Sequence, residues 1–164
     1  KTVITMDEMS VVSTDGASPA ADGAWGTQQL YTFPEGHINV LGKHVVFPLA
    51  GLEAVDGGGA GFSDTADFEI GVGTVAAAQD TQFDLNGGDE EDVVAAIIAA
   101  LTAKTSDAIE SSANGTAATV DGSTSALEYH LNFRTRDNAD HGSTADALLV
   151  SGTFTILWTC LGDD

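Results

Sequence analysis

Few residues in this chain are of types that could carry chemistry. Four histidines, His37, His44, His130 and His141, could act as bases or metal ligands, but they are far apart in the sequence. His37 and His130 fall within alternating strand patterns, where a hydrogen-bonded structural imidazole is the better reading. The one mixed cluster is "RDNADHG" at residues 136–142, which gathers Asp137, Asn138, Asp140 and His141. A hydrolytic reading would use Asp137, Asp140 and His141. The spacing fails the calcium loop of an EF-hand, which needs ligands at positions 1, 3 and 5. A hairpin loop with local side-chain hydrogen bonds accounts for the same composition.

Two further stretches imitate known sites. "GVGTVA" (Gly71, Gly73, Ala76) fits the dinucleotide fingerprint formally. That fingerprint works only when a helix follows directly and presents its N-terminus to the pyrophosphate. Here "AAQDTQFDL" follows, which reads as loop and strand. The acidic run Asp89, Glu90, Glu91 and Asp92 reads as the start of a helix rather than a metal site. Cys160 is the only cysteine, so no disulfide can form within the chain, and its place on an apolar face predicts a buried, inert thiol. No nucleophile elbow, Walker loop, HExxH or paired CxxC occurs. No catalytic, cofactor-binding or metal-ligating residue is assigned, and no cofactor is expected.

The elements that would position these residues are mostly strands. The closing "LLVSGTFTILWTCLGDD" alternates with a period of two. Leu148, Val150, Gly152, Phe154, Ile156, Trp158 and Cys160 share one face. Leu149, Ser151, Thr153, Thr155, Leu157, Thr159 and Leu161 share the other. Val150, Phe154, Ile156 and Trp158 are the expected structural core. A strand this long exposes a sticky edge unless it is paired. Further strands are expected at 28–33, 37–42 and 43–49, with Pro34-Glu35-Gly36 as a turn, then across "ADFEIGVGTVAA", "TQFDL" and "SALEYHLNFRTRD". One helix is expected near 89–104, from the acidic start and the helical spacing of Val93, Ile97, Ala100, Leu101 and Lys104. Residues 1–24 read as an extended N-terminal arm and linker: "KTVITMDEMSVV" precedes a Ser/Gly/Ala/Pro/Asp connector. Val3, Ile4, Met6, Met9, Val11 and Val12 are its candidate assembly residues. Residues 25–164 then form a mostly β domain, a β-sandwich or jelly roll with the one inserted helix.

Composition narrows the partners. The 164 residues carry 25 acidic and 5 basic side chains, a formal net charge of −20. Phosphate backbones require a basic surface, so nucleic acid is not an expected partner. Anionic membranes are disfavoured for the same reason, and no run of 18 apolar residues suggests a membrane span. The charge keeps the chain soluble and self-repelling, and salt would relieve the repulsion.

Four segments together carry a resemblance: "GTQQLYTFPEGHINVLG", "DFEIGVGTVAAAQDT", "LEYHLNFRTRDNAD" and "VSGTFTILWTCLGD". Over roughly residues 26–164 they resemble small structural proteins of tailed bacteriophages, closest to the head decoration or cement type. The closing pattern V-x-G-T-x-T-x-x-W-x-x-L-G-D is carried by Val150, Gly152, Thr153, Thr155, Trp158, Leu161, Gly162 and Asp163. These are fold-shaping rather than reactive residues. The 89–104 stretch departs from the resemblance, which leads one to expect a shorter polar loop there. The resemblance implies a non-enzymatic virion component on the outer capsid surface. It also implies binding to the major capsid protein lattice and assembly as a homotrimer. The rival reading is a tail or head-fibre module binding a host cell-surface glycan, for which Trp25 and Tyr31 are the candidate aromatics.

Overall fold

A computed structural model describes residues 1–15, 24–47, 52–55, 67–78, 84–85, 89–100, 111–115, 118–122, 124–135 and 146–162. They form ten strands and, among the described residues, no helix. In chain order these are β1 (Thr2–Asp15), β2 (Ala24–Thr32), β3 (Gly36–Phe47), β4 (Leu52–Val55) and β5 (Asp67–Gly73). The rest are β6 (Val94–Ala100), β7 (Ser111–Gly115), β8 (Ala118–Gly122), β9 (Glu128–Thr135) and β10 (Ala147–Cys160).

Seven of them follow the antiparallel order β6-β5-β9-β2-β1-β10-β3, with β7 and β8 end to end along β3 and β4 beside the start of β10. β6 comes round beside β3 and β7 without a ladder to either among the described residues. The wall is a nearly closed antiparallel barrel, which corrects the expected β-sandwich or jelly roll.

β1 is the reason the sheets do not separate into two layers. It pairs with β10 from Thr2 to Val12, then with β2 from Ser13 to Asp15. A bulge between Met6 and Met9 lets it turn. Glu8 there holds φ 47°, a left-handed conformation uncommon outside glycine, and its amide donates to Ser151 Oγ at 3.0 Å. The expected extended arm is therefore a wall strand of the chain's own barrel. The boundary expected after Ala24 falls at the first residue of β2, and residues 16–23 lie outside the described residues.

The expected helix is corrected too. Residues 94–100 are β6, paired antiparallel to β5 with Ile97 opposite Ile70 and Ala100 opposite Asp67. "VAAIIAA" has no strict alternation, so apolar pattern alone does not separate a buried strand from a buried helix. The open edge of β5 decides it, because a strand there satisfies backbone groups that a helix would leave unpaired. Residues 101–104 lie outside the described residues.

Inside the barrel, β10 contributes Leu148, Val150, Phe154 and Ile156, each fully buried. β1 faces them with Ile4 opposite Phe154, Met9 opposite Val150 and Val11 opposite Leu148. β5 and β9 add Phe68, Ile70, Val72, Leu131 and Phe133 from across the interior. Trp158 is half-buried at one end of this core. Its ring stacks edge-on against Phe33 at 5.2 Å, and Nε1 donates to Thr2 Oγ1 at 3.0 Å. The residues expected to be strands at 37–42 and 43–49 merge into β3, with a register shift opposite Leu157 and Trp158. Pro34-Glu35-Gly36 joins β2 to β3, which are not neighbours in the sheet, so it is a crossing rather than a hairpin.

Candidate functional site

The densest polar cluster lies on the outer face of β2, β5 and β9, beneath two strap segments, 74–78 and 89–93. On β9, Tyr129, Leu131 and Phe133 enter the core, so Asn132 and Arg134 alternate to the outside. Both are nonetheless fully buried, because the strap covers them. Asn132 Nδ2 donates to the carbonyls of Val75 and Glu90, each at 2.8 Å. Its Oδ1 accepts from Thr27 Oγ1 at 2.7 Å and from the Ala77 amide at 2.9 Å. All four of its amide hydrogen-bonding positions are used, three of them on the strap and one on Thr27 of β2.

Arg134 does the same with charge. Nη2 donates to the Ala78 carbonyl at 2.6 Å and lies 3.3 Å from Glu90 Oε1. Glu90 also accepts from the Ala78 amide at 3.1 Å, so the pair grips both strap segments at once. The neighbouring acids are less buried but also hydrogen-bonded to the backbone. Asp92 accepts from the amide and hydroxyl of Thr74 at 2.8 and 3.0 Å, and Glu91 accepts from the Ala96 amide at 2.6 Å. The acidic run read as a helix start is instead the lower half of a clasp, with Glu90 buried at its centre and Asp92 exposed at its rim.

The two glycines of "GVGTVA" have their explanation here. A Cβ on Gly71 would meet Glu91 Cβ at 3.0 Å and Leu85 Cδ1 at 3.1 Å, and one on Gly73 would collide with the backbone of Asp89 and Glu90. They admit the strap to the sheet surface, which is a packing role rather than phosphate binding. Trp25, offered above as a glycan platform, is buried under the same strap with Ala77 and Leu85. Tyr31, the other candidate, is half-buried and stacks edge-on against Phe33 at 4.9 Å.

A second polar feature lies inside the barrel. Lys43 is opposite Ile156 on β3 and only 6 % exposed, with Nζ 5.8 Å from the centre of the Tyr129 ring. Burial pushes the lysine below its usual value of 10.5, an effect partly opposed by the Asp92 charge. Tyr129 is pushed up to about 12, first by burial and then by the same carboxylate. The cation–π contact partly replaces lost hydration. Neither residue was singled out from sequence, although Lys43 and Arg134 are two of only five cations, and a cation within a strand pattern is a usable signal.

The remaining candidates are dispersed. His130 Nε2 lies 3.4 Å from Glu128 Oε2, while His37 and His44 lie on β3. Asp137, Asn138, Asp140 and His141 lie outside the described residues. Among the described residues, no three His, Cys, Asp or Glu side chains are grouped to hold a metal ion. Cys160 is exposed, with Sγ 3.9 Å from the Glu35 carbonyl, because β10 runs past the end of the core; this corrects the expected buried thiol. Of the six candidate arm residues, Met6 and Val11 are buried, Ile4 and Met9 pack against the core, and Val3 and Val12 face outward.

The outer face of β1, β10 and β3 contrasts with the strapped one. It carries Val3 and Thr5 from β1, and Thr153, Thr155, Leu157 and Thr159 from β10. From β3 come Asn39, Leu41, His44 and Val46. Val3, Leu41 and Leu157 are each about half exposed.

No family model, no curated protein and no solved structure matches this chain.

Proposed function

We propose that the chain is a structural component of a tailed-bacteriophage virion. In this reading it sits on the outer capsid surface, binds the major capsid protein lattice and stabilises it without catalysis, with a homotrimer as the assembled form. The residues carrying the resemblance are framework residues of the barrel. Gly152 and Thr153 lie beside the β1 bulge, Thr155 on the open face, and Trp158 at the end of the core.

The observation that supports a cement role best is the long ladder between β1 and β10, strands more than 130 residues apart in the sequence. β1 and β10, each 14 residues long, pair along most of their length at the centre of the wall. A clamp must resist local opening under load, and segments with few paired backbone groups open first. With β10 paired to β1 on one side and β3 on the other, and the strap gripped by Arg134 and Glu90, the barrel suits a load-bearing module.

The test is reconstitution. Purified chain is mixed with phage heads that lack their decoration protein, and bound chain is measured by co-sedimentation alongside the temperature at which the heads release DNA. Saturable binding with a raised release temperature is the expected result. Absence of binding at chain concentrations well above lattice-site concentration overturns the reading.

A further inference from the structure

The open face of β1, β10 and β3 has a property that the rest of this chain makes improbable. From the row Thr5–Thr153–Val46 to the row Thr159–Asn39, the outward ladder positions are threonine, valine, leucine, asparagine, glycine and histidine, with exposed Lys1 at the corner just before β1. None is acidic, in a chain with 25 acidic residues. The acids resume at the borders: Asp7 and Glu8 are exposed at the β1 bulge, and Asp121 lies at the far corner in register with His37. Within this acid-free area Val3 is 50 %, Leu41 50 % and Leu157 48 % exposed.

We infer that this face is a docking surface for a second copy of the same chain. Charge selects the occupant. A basic partner would be drawn to the acidic remainder of the molecule, and an acidic partner would find a single cation, Lys1, at one corner of this face. Two copies of a chain at −20 repel through most surfaces, and here they can approach with no carboxylates directly opposed. The chemistry is also self-complementary. Each threonine hydroxyl both donates and accepts, so a threonine row can pair with its own symmetry mate, as a two-fold contact requires.

The size fits a weak, reversible contact. Seven residues of β10 at about 3.4 Å each, across three strands about 4.8 Å apart, give on the order of 350 Å² per copy. That is below the standard interface size and in the range of weak, transient contacts. Two such faces would pack as sheet on sheet, about 10 Å apart, with the leucines and valines between them.

This inference concerns the isolated chain and does not rest on the virion reading, so failure of particle binding leaves it standing. The test is sedimentation equilibrium of the full chain at low and high salt. Wild type is expected to associate reversibly, and more strongly in high salt as the acidic rims are screened. Leu157→Glu and, separately, Val3→Glu should shift the association midpoint more than about tenfold to higher concentration, with an unchanged thermal melt. Val75→Glu, at an exposed apolar position on the strap, should leave association as in wild type. A chain that stays monomeric at high concentration in high salt overturns the inference. So does any oligomer that survives both face variants.

Discussion

The outer surfaces of β2–β5–β9 and of β1–β10–β3 are built on the same barrel wall and treat polar residues in opposite ways. On the first, Asn132 and Arg134 are buried, and their hydrogen bonds reach to the strap: Asn132 to Val75, Ala77 and the Glu90 backbone, with a fourth to Thr27 of β2, and Arg134 to Ala78 and the Glu90 carboxylate. On the second, short hydroxyl side chains lie open to solvent and no strap segment among the described residues covers them. The difference shows where specificity and availability lie. A buried ion pair holds one arrangement and costs much to break. An uncharged β surface costs little to cover, so it remains available for another protein.

The largest effect should come from breaking the clasp. Arg134→Ala strands the Glu90 carboxylate in a dry site and is expected to cost about 3–5 kcal/mol in chemical denaturation. Arg134→Met combined with Glu90→Leu should recover much of that loss. If the single variant were as stable as wild type, the strapped face would not be the rigid one.

Next comes the end of the core between the two faces. Trp158 is half-buried, so Trp158→Ala should cost about 2–3 kcal/mol, below the ~3–5 typical of a fully enclosed aromatic. Trp158→Phe keeps the edge contact with Phe33 but loses the hydrogen bond to Thr2, and should cost about 1 kcal/mol. Melting both variants separates packing from polar anchoring.

Smaller and opposite in sign is Lys43→Met, which removes a buried charge and should stabilise by about 1 kcal/mol near neutral pH. The pH profile identifies the cause. Since Lys43 titrates below 10.5 in the folded chain, the unfolded chain holds more protons in the window up to 10.5, and stability gains from this residue as pH rises through it. Tyr129 works the other way. Its stabilisation is complete below its ordinary value of 10 and is lost as pH climbs towards about 12. Lys43→Met should abolish the gain and keep the alkaline loss.

The smallest effect belongs to the open face. Leu157→Ser should change the stability of the monomer by less than about 0.5 kcal/mol. A larger loss would mean that this face is part of the core, and the contrast between the two surfaces would fail.

Period two in "LLVSGTFTILWTC" was enough to mark a long strand and to sort its residues onto two faces, because alternation follows from the pleat alone. The β class followed in the same way from several such runs, and −20 was readable by counting. The sequence left "DEEDVVAAIIAA" undecided, because acidic-then-apolar composition suits a helix start as well as a clasp followed by a buried strand. Only the tertiary structure placed Arg134 where Glu90 could meet it, 44 residues away in the chain, and offered β6 the free edge of β5. The glycines of "GVGTVA" were legible as a need for close approach, but what approached them was not. Likewise residues 1–15 looked like an arm because their partner, β10, lies at the other end of the chain. Strand character is local and is written in neighbouring residues; closure, burial of charge and the choice of edge depend on contacts between residues far apart in the chain, and only the folded chain decides them.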